Sequence, residues 1–94
     1  MPIGILSLSI YLADCQSLKD KRARIKPVLH RLHREFNVST AEMEYNDVWK
    51  NALIGVACLG NESVHVRQVL QSVLEFTETN WPDIEIIQFD IEIL

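Results

Sequence analysis

The hydrophobic residues between positions 3 and 36 follow two different periods, which predict two successive elements of secondary structure. From Ile3 to Leu12, apolar residues alternate with Ser7, Ser9 and Tyr11, and this period of two predicts a β-strand. From Leu18 to Phe36 the apolar residues recur at the helical period, which predicts an amphipathic helix. The expected apolar stripe of this helix comprises Leu18, Ile25, Val28, Leu29, Leu32 and Phe36.

The predicted first helix has a defined start and a proline in its interior. Ser17 opens a Ser-Leu-Lys-Asp run that is similar to a capping box, with Asp20 at the position usually taken by Glu. Pro27 removes a backbone donor and its ring crowds the carbonyl four residues earlier. We expect a kink near Ala23 to Lys26, or a short first turn followed by a longer helix. The apolar stripe keeps its phase across Pro27, which favours the kink over a break.

The next segments predict two strands joined by a turn. Asn37 to Tyr45 forms the second predicted strand, whose face assignment stays open and in which a bulge is allowed. Asn46 and Asp47 signal a turn. Asn51 to Leu59 is apolar on both faces, which is typical of a strand in the middle of a sheet.

The last third of the chain predicts a helix and a final strand. Asn61 or Ser63 is expected to cap the helix, which continues to about Thr79 before Asn80-Trp81-Pro82-Asp83 ends it. The strand covers Ile84 to Leu94, in which Ile87, Phe89, Ile91 and Ile93 alternate with polar residues.

The order β-α-β-β-α-β predicts an α+β fold, a ferredoxin-like two-layer sandwich. We expect one domain over residues 1–94, with a four-stranded antiparallel sheet and both helices on one face. The first and third strands are then central. Glu85, Asp90 and Glu92 give the last strand the charges that protect a sheet edge.

Composition narrows the class of protein further. With 94 residues, 48% apolar and 23% charged, the chain is expected to fold, which excludes disorder. Cys15 and Cys58 are too few and too far apart for a disulfide framework or a Cys-x-x-Cys site. The sequence shows neither a signal peptide nor a membrane span, so we expect a cytoplasmic protein with no membrane partner.

The net charge of −4 conceals a strong segregation along the chain. Residues 18–36 hold seven of the nine Lys and Arg residues and only two acidic ones, so this segment carries +5 and the remainder −9. A solvated helix surface and a phosphate-binding face both explain this, and the sequence leaves the two open. The candidate nucleic-acid-binding residues are Lys19, Lys21, Arg22, Arg24, Lys26, Arg31 and Arg34.

Other candidate chemistry is weaker. His30 and His33 share a helix but have no third ligand, and Cys15 has no nearby base, so we expect no metal, no cofactor, no small-molecule substrate and no catalytic residue. Glu42 and Glu44 predict a solvated edge-strand face, with a cation or a basic partner as the alternative. We expect Trp81 to cover the end of the second helix. For Trp49, burial is favoured over an exposed contact.

Several short motifs together resemble a known family. They are Ser17-Leu18-Lys19-Asp20-Lys21-Arg22, Phe36-Asn37-Val38-Ser39, Ala41-Glu42, Asp47, Trp49 and Asp90-Ile91-Glu92-Ile93-Leu94. They are similar to the YlxP-like family, small bacterial proteins grouped as a domain of unknown function. The resemblance implies a ferredoxin-like fold and a cytoplasmic bacterial protein whose gene often neighbours translation-initiation and ribosome-maturation genes. It implies no activity and assigns no catalytic residue.

Two functions follow as expectations. The first is a non-enzymatic RNA- or ribosome-associated protein that binds phosphates with its basic first helix. The alternative is a protein-interaction module or homodimer with no nucleic-acid role. It would use the sheet face that carries Ile5, Ser7, Ser9 and Tyr11. An enzyme ranks third, because no nucleophile and base or metal set is visible in the sequence.

Overall fold

The computed structural model describes residues 1–44 and 48–94 and contains the predicted element order. The strands and helices are β1 (Ile3–Tyr11), α1 (Leu18–Glu35), β2 (Ser39–Glu44), β3 (Asn51–Leu59), α2 (Ser63–Asn80) and β4 (Glu85–Ile93). The predicted turn at Asn46 and Asp47, and the predicted end of the second strand at Tyr45, lie outside the described residues.

The four strands form one antiparallel sheet in the order β2-β3-β1-β4, so the prediction that the first and third strands are central is confirmed. In β1 and β3 every second residue is buried, and Leu6 lies directly opposite Val56. The buried residues of the two central strands therefore share one face of the sheet.

Both helices cover this buried face. α1 packs on β2, while α2 packs on β1, β3 and β4. One core cluster joins the layers, with Leu8 and Ile54 from the sheet, Ile25 from α1 and Leu70 from α2. The structure is thus the two-layer ferredoxin-like sandwich that the sequence predicts.

Local chemistry explains the start of α1. The side chain of Ser17 accepts a hydrogen bond from the Asp20 amide at 3.0 Å, and Asp20 Oδ2 accepts one from the Gln16 amide at 3.1 Å. Two amides at the helix start are thereby satisfied. The helix continues through Pro27 without a break.

The predicted cap of α2 is wrong. Glu62 occupies the N-cap position and makes no side-chain cap hydrogen bond, while Ser63 is already the first helical residue. The second strand begins at Ser39, two residues later than predicted, and its pairing with β3 shifts between Glu42 and Glu44. The bulge allowed by the sequence is therefore present.

The other face of the sheet has no helix on it among the described residues. Ile5, Ser7, Ser9 and Tyr11 of β1 lie on this open face and are half-buried by their neighbours in the sheet. A shallow groove of about 350 Å³ crosses it, and its lining includes Ala41, Met43, Leu53, Gly55 and Ala57.

Candidate nucleic-acid interface

Lys21 lies inside the protein, although the sequence places it among the phosphate-binding residues. It is 1% exposed, and its Nζ lies 2.7 Å from Glu42 Oε2 and donates a hydrogen bond of 2.7 Å to the Val48 carbonyl. This buried ion pair joins the first turn of α1 to β2 and to the segment before β3. Its burial removes Lys21 from the surface that could meet a phosphate.

The position of Lys21 follows from the true phase of the buried stripe. The buried residues of α1 are Lys21, Ile25, Val28 and Leu32. At 100° per residue, with Leu18 at zero, their centre lies near about 310°, and Lys21 falls within this stripe. The predicted stripe has its centre nearer to 0°, because it includes Leu18 and Phe36, which fall at about 0°, and leaves Lys21 out.

The same contact corrects the prediction for Glu42. Its side chain is only 20% exposed and pairs with Lys21, so the prediction of a solvated edge-strand face is wrong for this residue. Its neighbour two residues earlier, Thr40, points the same way and donates a hydrogen bond from Oγ1 to the Leu29 carbonyl at 3.0 Å. The helix-facing side of β2 thus holds α1 by polar contacts.

Arg24 and Arg31 lie on the side of α1 that faces α2. Arg24 Nη2 donates a hydrogen bond of 3.0 Å to Asp83 Oδ2 in the segment after α2. The guanidinium of Arg31 lies 5.0 Å from the ring centre of Phe76 and 5.8 Å from that of Trp81. Both arginines therefore have contacts between the helices, and both are partly covered.

The other four candidates are exposed: Lys19, Arg22, Lys26 and Arg34. On the helical wheel they fall between about 40° and 160°, which is one continuous side of α1 that we call the basic flank. His30 and His33 lie on the same side and are also exposed. The two carboxylates of the helix lie elsewhere, Asp20 at about 200° and Glu35 at about 260°.

The basic flank and the acidic last strand lie in different parts of the protein. α1 packs on β2, and His33 Nδ1 lies 2.6 Å from the Val38 carbonyl just before that strand. β4, which carries Glu85, Asp90 and Glu92 and no basic residue, forms the opposite edge of the sheet. The acidic residues of β4 therefore lie away from α1, whereas Glu42 of β2 and Asp83 pair directly with side chains of that helix.

Trp49 is 49% exposed and so contradicts the preference for burial. The backbone on either side of it is held by the interior, since the Val48 carbonyl accepts from Lys21 and the Lys50 carbonyl accepts from the Leu12 amide at 2.7 Å. The segment is thus held through its backbone, while the indole lies at the surface.

Trp81 behaves as predicted. Its ring stacks on Phe76 with centroids 5.9 Å apart and planes inclined by 14°, and Phe76 in turn meets the edge of Phe36. The stack covers the end of α2 where it meets α1.

The remaining candidates add no site within residues 1–44 and 48–94. No three His, Cys, Asp or Glu side chains are grouped there so as to hold a metal ion. Cys15 and Cys58 are both buried, and burial raises the pKa of the Cys58 thiol above its ordinary value. None of the helices in this part of the chain is long and apolar enough to cross a membrane.

Comparison with known protein families identifies the family of this chain. The family model described as "Protein of unknown function (DUF503)" matches residues 3–91, and the chain belongs to this family.

The chain is also similar to a named relative, the uncharacterized protein YlxP of Bacillus subtilis (strain 168). The two are 37% identical over 83 residues, which are 88% of this chain and 89% of the relative. The resemblance drawn from the sequence motifs is therefore confirmed.

Among solved structures, the chain resembles the de novo designed protein Foldit4. The TM-score is 0.54 and the identity 10%, with 100% of this chain and 97% of that chain covered. A likeness at this identity concerns the fold alone, and it agrees with the α+β sandwich.

Proposed function

We propose that this protein is a non-enzymatic, cytoplasmic RNA-binding protein that holds the RNA or ribosome backbone against the basic flank of α1. The observation that carries the proposal is the flank itself. Lys19, Arg22, Lys26 and Arg34 are all exposed on one side of the helix, and no carboxylate of the helix lies among them.

The distribution of the other charges supports the same interface. Three of the seven basic residues of α1 lie outside the flank, and each has a partner within the protein. The pairs are Lys21 with Glu42, Arg24 with Asp83, and Arg31 with Phe76 and Trp81. The four flank residues have no ion pair of that kind among the described residues. Uncompensated cations are the groups that release counterions from a phosphate backbone.

The mode of binding follows from the residue types. Lysine and arginine side chains spaced along one helix contact phosphates and fix the position of the strand, but such contacts carry no base sequence information. We therefore expect affinity that depends steeply on salt and weakly on sequence.

The test is a binding titration of the full chain with a fluorescein-labelled single-stranded RNA of about 12 nucleotides. Four phosphate contacts predict a slope of log affinity against log salt of about −2.8, or roughly 50-fold weaker binding between about 50 and 200 mM salt. The variant Lys19→Glu/Arg22→Glu/Lys26→Glu/Arg34→Glu should show no binding over this range.

A matched pair of variants separates the flank from total charge. Arg22→Gln/Lys26→Gln and Arg24→Gln/Arg31→Gln remove the same charge from the same helix, but only the first pair lies on the flank. The first should lower affinity about ten-fold or more and reduce the slope to about −1.4, while the second should change both little. Equal losses in the two variants, with far-UV circular dichroism unchanged, would contradict the proposal.

The open face of the sheet supports a second candidate function, weak self-association. The groove of about 350 Å³ is lined by uncharged residues, with the larger Met43 and Leu53 beside small ones such as Ala41 and Gly55, which suits packing against a second uncharged surface. A two-fold axis parallel to the strands would place β4 of one copy over β2 of the other and so keep the acidic residues of the two β4 strands apart.

The size of that face sets the expected strength. Four strands about 4.8 Å apart and up to nine residues long at about 3.3 Å per residue give roughly 500 Å² on each sheet. This is below the roughly 800 Å² per partner of a standard interface. We expect dimers only at high micromolar concentration by analytical ultracentrifugation, and Ala57→Asp should abolish them. A monomer throughout that range would exclude this candidate.

A further inference from the structure

Residues 48–50 carry an exposed aromatic ring and are bonded to the first turn of α1, the end of the helix at which the basic flank begins. Trp49 is 49% exposed and Val48 is 44% exposed, and no aromatic ring among the described residues contacts Trp49. Trp81, by contrast, is stacked on Phe76. Of the two indoles, only Trp49 is available to a ligand.

The backbone on both sides of Trp49 is held by hydrogen bonds, although the ring itself is exposed. The carbonyl before it accepts from Lys21 Nζ at 2.7 Å, and the carbonyl after it accepts from the Leu12 amide at 2.7 Å. Lys21 is 1% exposed, so the first of these bonds is shielded from water. An aromatic side chain on a fixed backbone loses little freedom when it binds, which favours its use as a contact.

The same contact fixes where Trp49 lies relative to the flank. Lys21 belongs to the first turns of α1, between Lys19 and Arg22 in the sequence. Because Lys21 Nζ bonds to the Val48 carbonyl, the segment that carries Trp49 lies at the same end of α1 as Lys19 and Arg22, although Lys21 itself points into the interior rather than along the flank. Lys50, which is exposed, adds a further cation next to it.

We propose that Trp49 is a stacking platform for an unpaired base of the RNA whose phosphates contact the basic flank. This inference rests on the proposed function and names its ligand class as single-stranded RNA. An indole face stacks on any base, whereas the bases of an A-form duplex are already stacked and out of reach. The combination of a basic track with an exposed aromatic ring is how many proteins bind single strands.

The experiment uses the full chain and two probes, a fluorescein-labelled single-stranded RNA of about 12 nucleotides and the same strand annealed to its complement. Trp49→Ala should weaken binding of the single strand by roughly ten-fold and leave binding of the duplex and the slope against salt unchanged. Trp49→Phe should retain most of the affinity. Val48→Ala, which trims the neighbouring exposed side chain, should bind as the unaltered protein does.

A direct readout comes from the indole itself. In a Trp81→Phe background the remaining tryptophan fluorescence belongs to Trp49, and stacking on a base should quench it at the same RNA concentration that saturates the labelled probe. Quenching that requires much more RNA, or none at all, would overturn the proposal.

The outcomes distinguish this inference from the function on which it rests. If Trp49→Ala binds the single strand as tightly as the unaltered protein while the flank variants lose it, the platform is excluded and the basic flank stands. If Trp49→Leu restores the binding lost in Trp49→Ala, the site needs apolar bulk rather than a ring face, which also excludes stacking. If the unaltered protein binds neither probe, both proposals fail.

Discussion

The two helices are equally long, lie on the same face of the sheet and each bury one polar side chain, but they satisfy it differently. In α2, Thr77 donates its hydroxyl to the Val73 carbonyl at 2.8 Å, within its own helix. In α1, Lys21 reaches out of the helix to Glu42 of β2 and to the Val48 carbonyl. The buried polar side chain of α2 is thus satisfied within its own helix. That of α1 needs partners in β2 and in the segment before β3, both of which follow α1 in the chain.

The outer surfaces of the helices differ as much as the buried ones. α1 exposes four cations on one side, while α2 exposes a single cation, Arg67, together with Glu75 and Glu78. The fold requires only that each helix bury one stripe against the sheet. The concentration of positive charge on α1 is therefore not a requirement of the fold, and this is why we assign it to binding.

Removal of the two buried polar groups in turn should give the largest difference between the helices. Lys21→Ala leaves Glu42 without its partner and opens a cavity, so it should lower the free energy of unfolding by about 3 kcal/mol. Thr77→Val should change it by less than about 1 kcal/mol, because the Val73 carbonyl keeps its helical hydrogen bond. Urea denaturation of both variants measures the difference, and similar costs would contradict the importance assigned to the contacts of Lys21 with Glu42 and Val48.

The outer surfaces can be compared by placing one reversed charge on each helix. Lys26→Glu and Arg67→Glu make the same charge change at exposed helical positions. Both should leave the free energy of unfolding within about 0.5 kcal/mol of its original value. Only Lys26→Glu should weaken RNA binding, by about ten-fold. An equal effect of Arg67→Glu on binding would mean that net charge, not the flank, attracts the RNA.

The helix starts give the smallest expected difference. Ser17 caps α1 with its side chain, and Glu62 leaves α2 without such a bond. Ser17→Ala should cost about 1 kcal/mol, while Glu62→Asp, which keeps the charge but shortens the side chain to a good cap, should gain roughly 0.5 kcal/mol. Thermal unfolding followed by circular dichroism checks both, and a loss of stability in Glu62→Asp would contradict this account of the α2 start.

The fold was predictable because its signals repeat. The first and last strands offer several positions at period two, the third strand offers a run that is apolar on both faces, and each helix offers several positions at the helical period. A single misread residue therefore changes nothing. The α2 cap was not predictable in the same way, since Asn61, Glu62 and Ser63 are adjacent polar residues. The choice among them depends on where the chain leaves β3.

The site was predicted only in outline. The charge of α1 is visible in the sequence, but the separation of its cations into one buried, two between the helices and four on the flank requires the packing. One signal could have identified Lys21: the spacing of Ile25, Val28 and Leu32, continued back by four residues, reaches it. The exposure of Trp49 had no such signal, because a single aromatic residue between two strands belongs to no periodic pattern that shows whether it is buried.

The placement of β4 at the sheet edge opposite β2 has a consequence for the kinetics of encounter. A polyanion attracts one side of this molecule and repels the other, so its field exerts a torque on the protein before any contact forms. The protein then arrives with α1 leading, and fewer collisions are wasted on unproductive orientations. Neutralising Glu85, Asp90 and Glu92 would remove much of that torque without touching the flank.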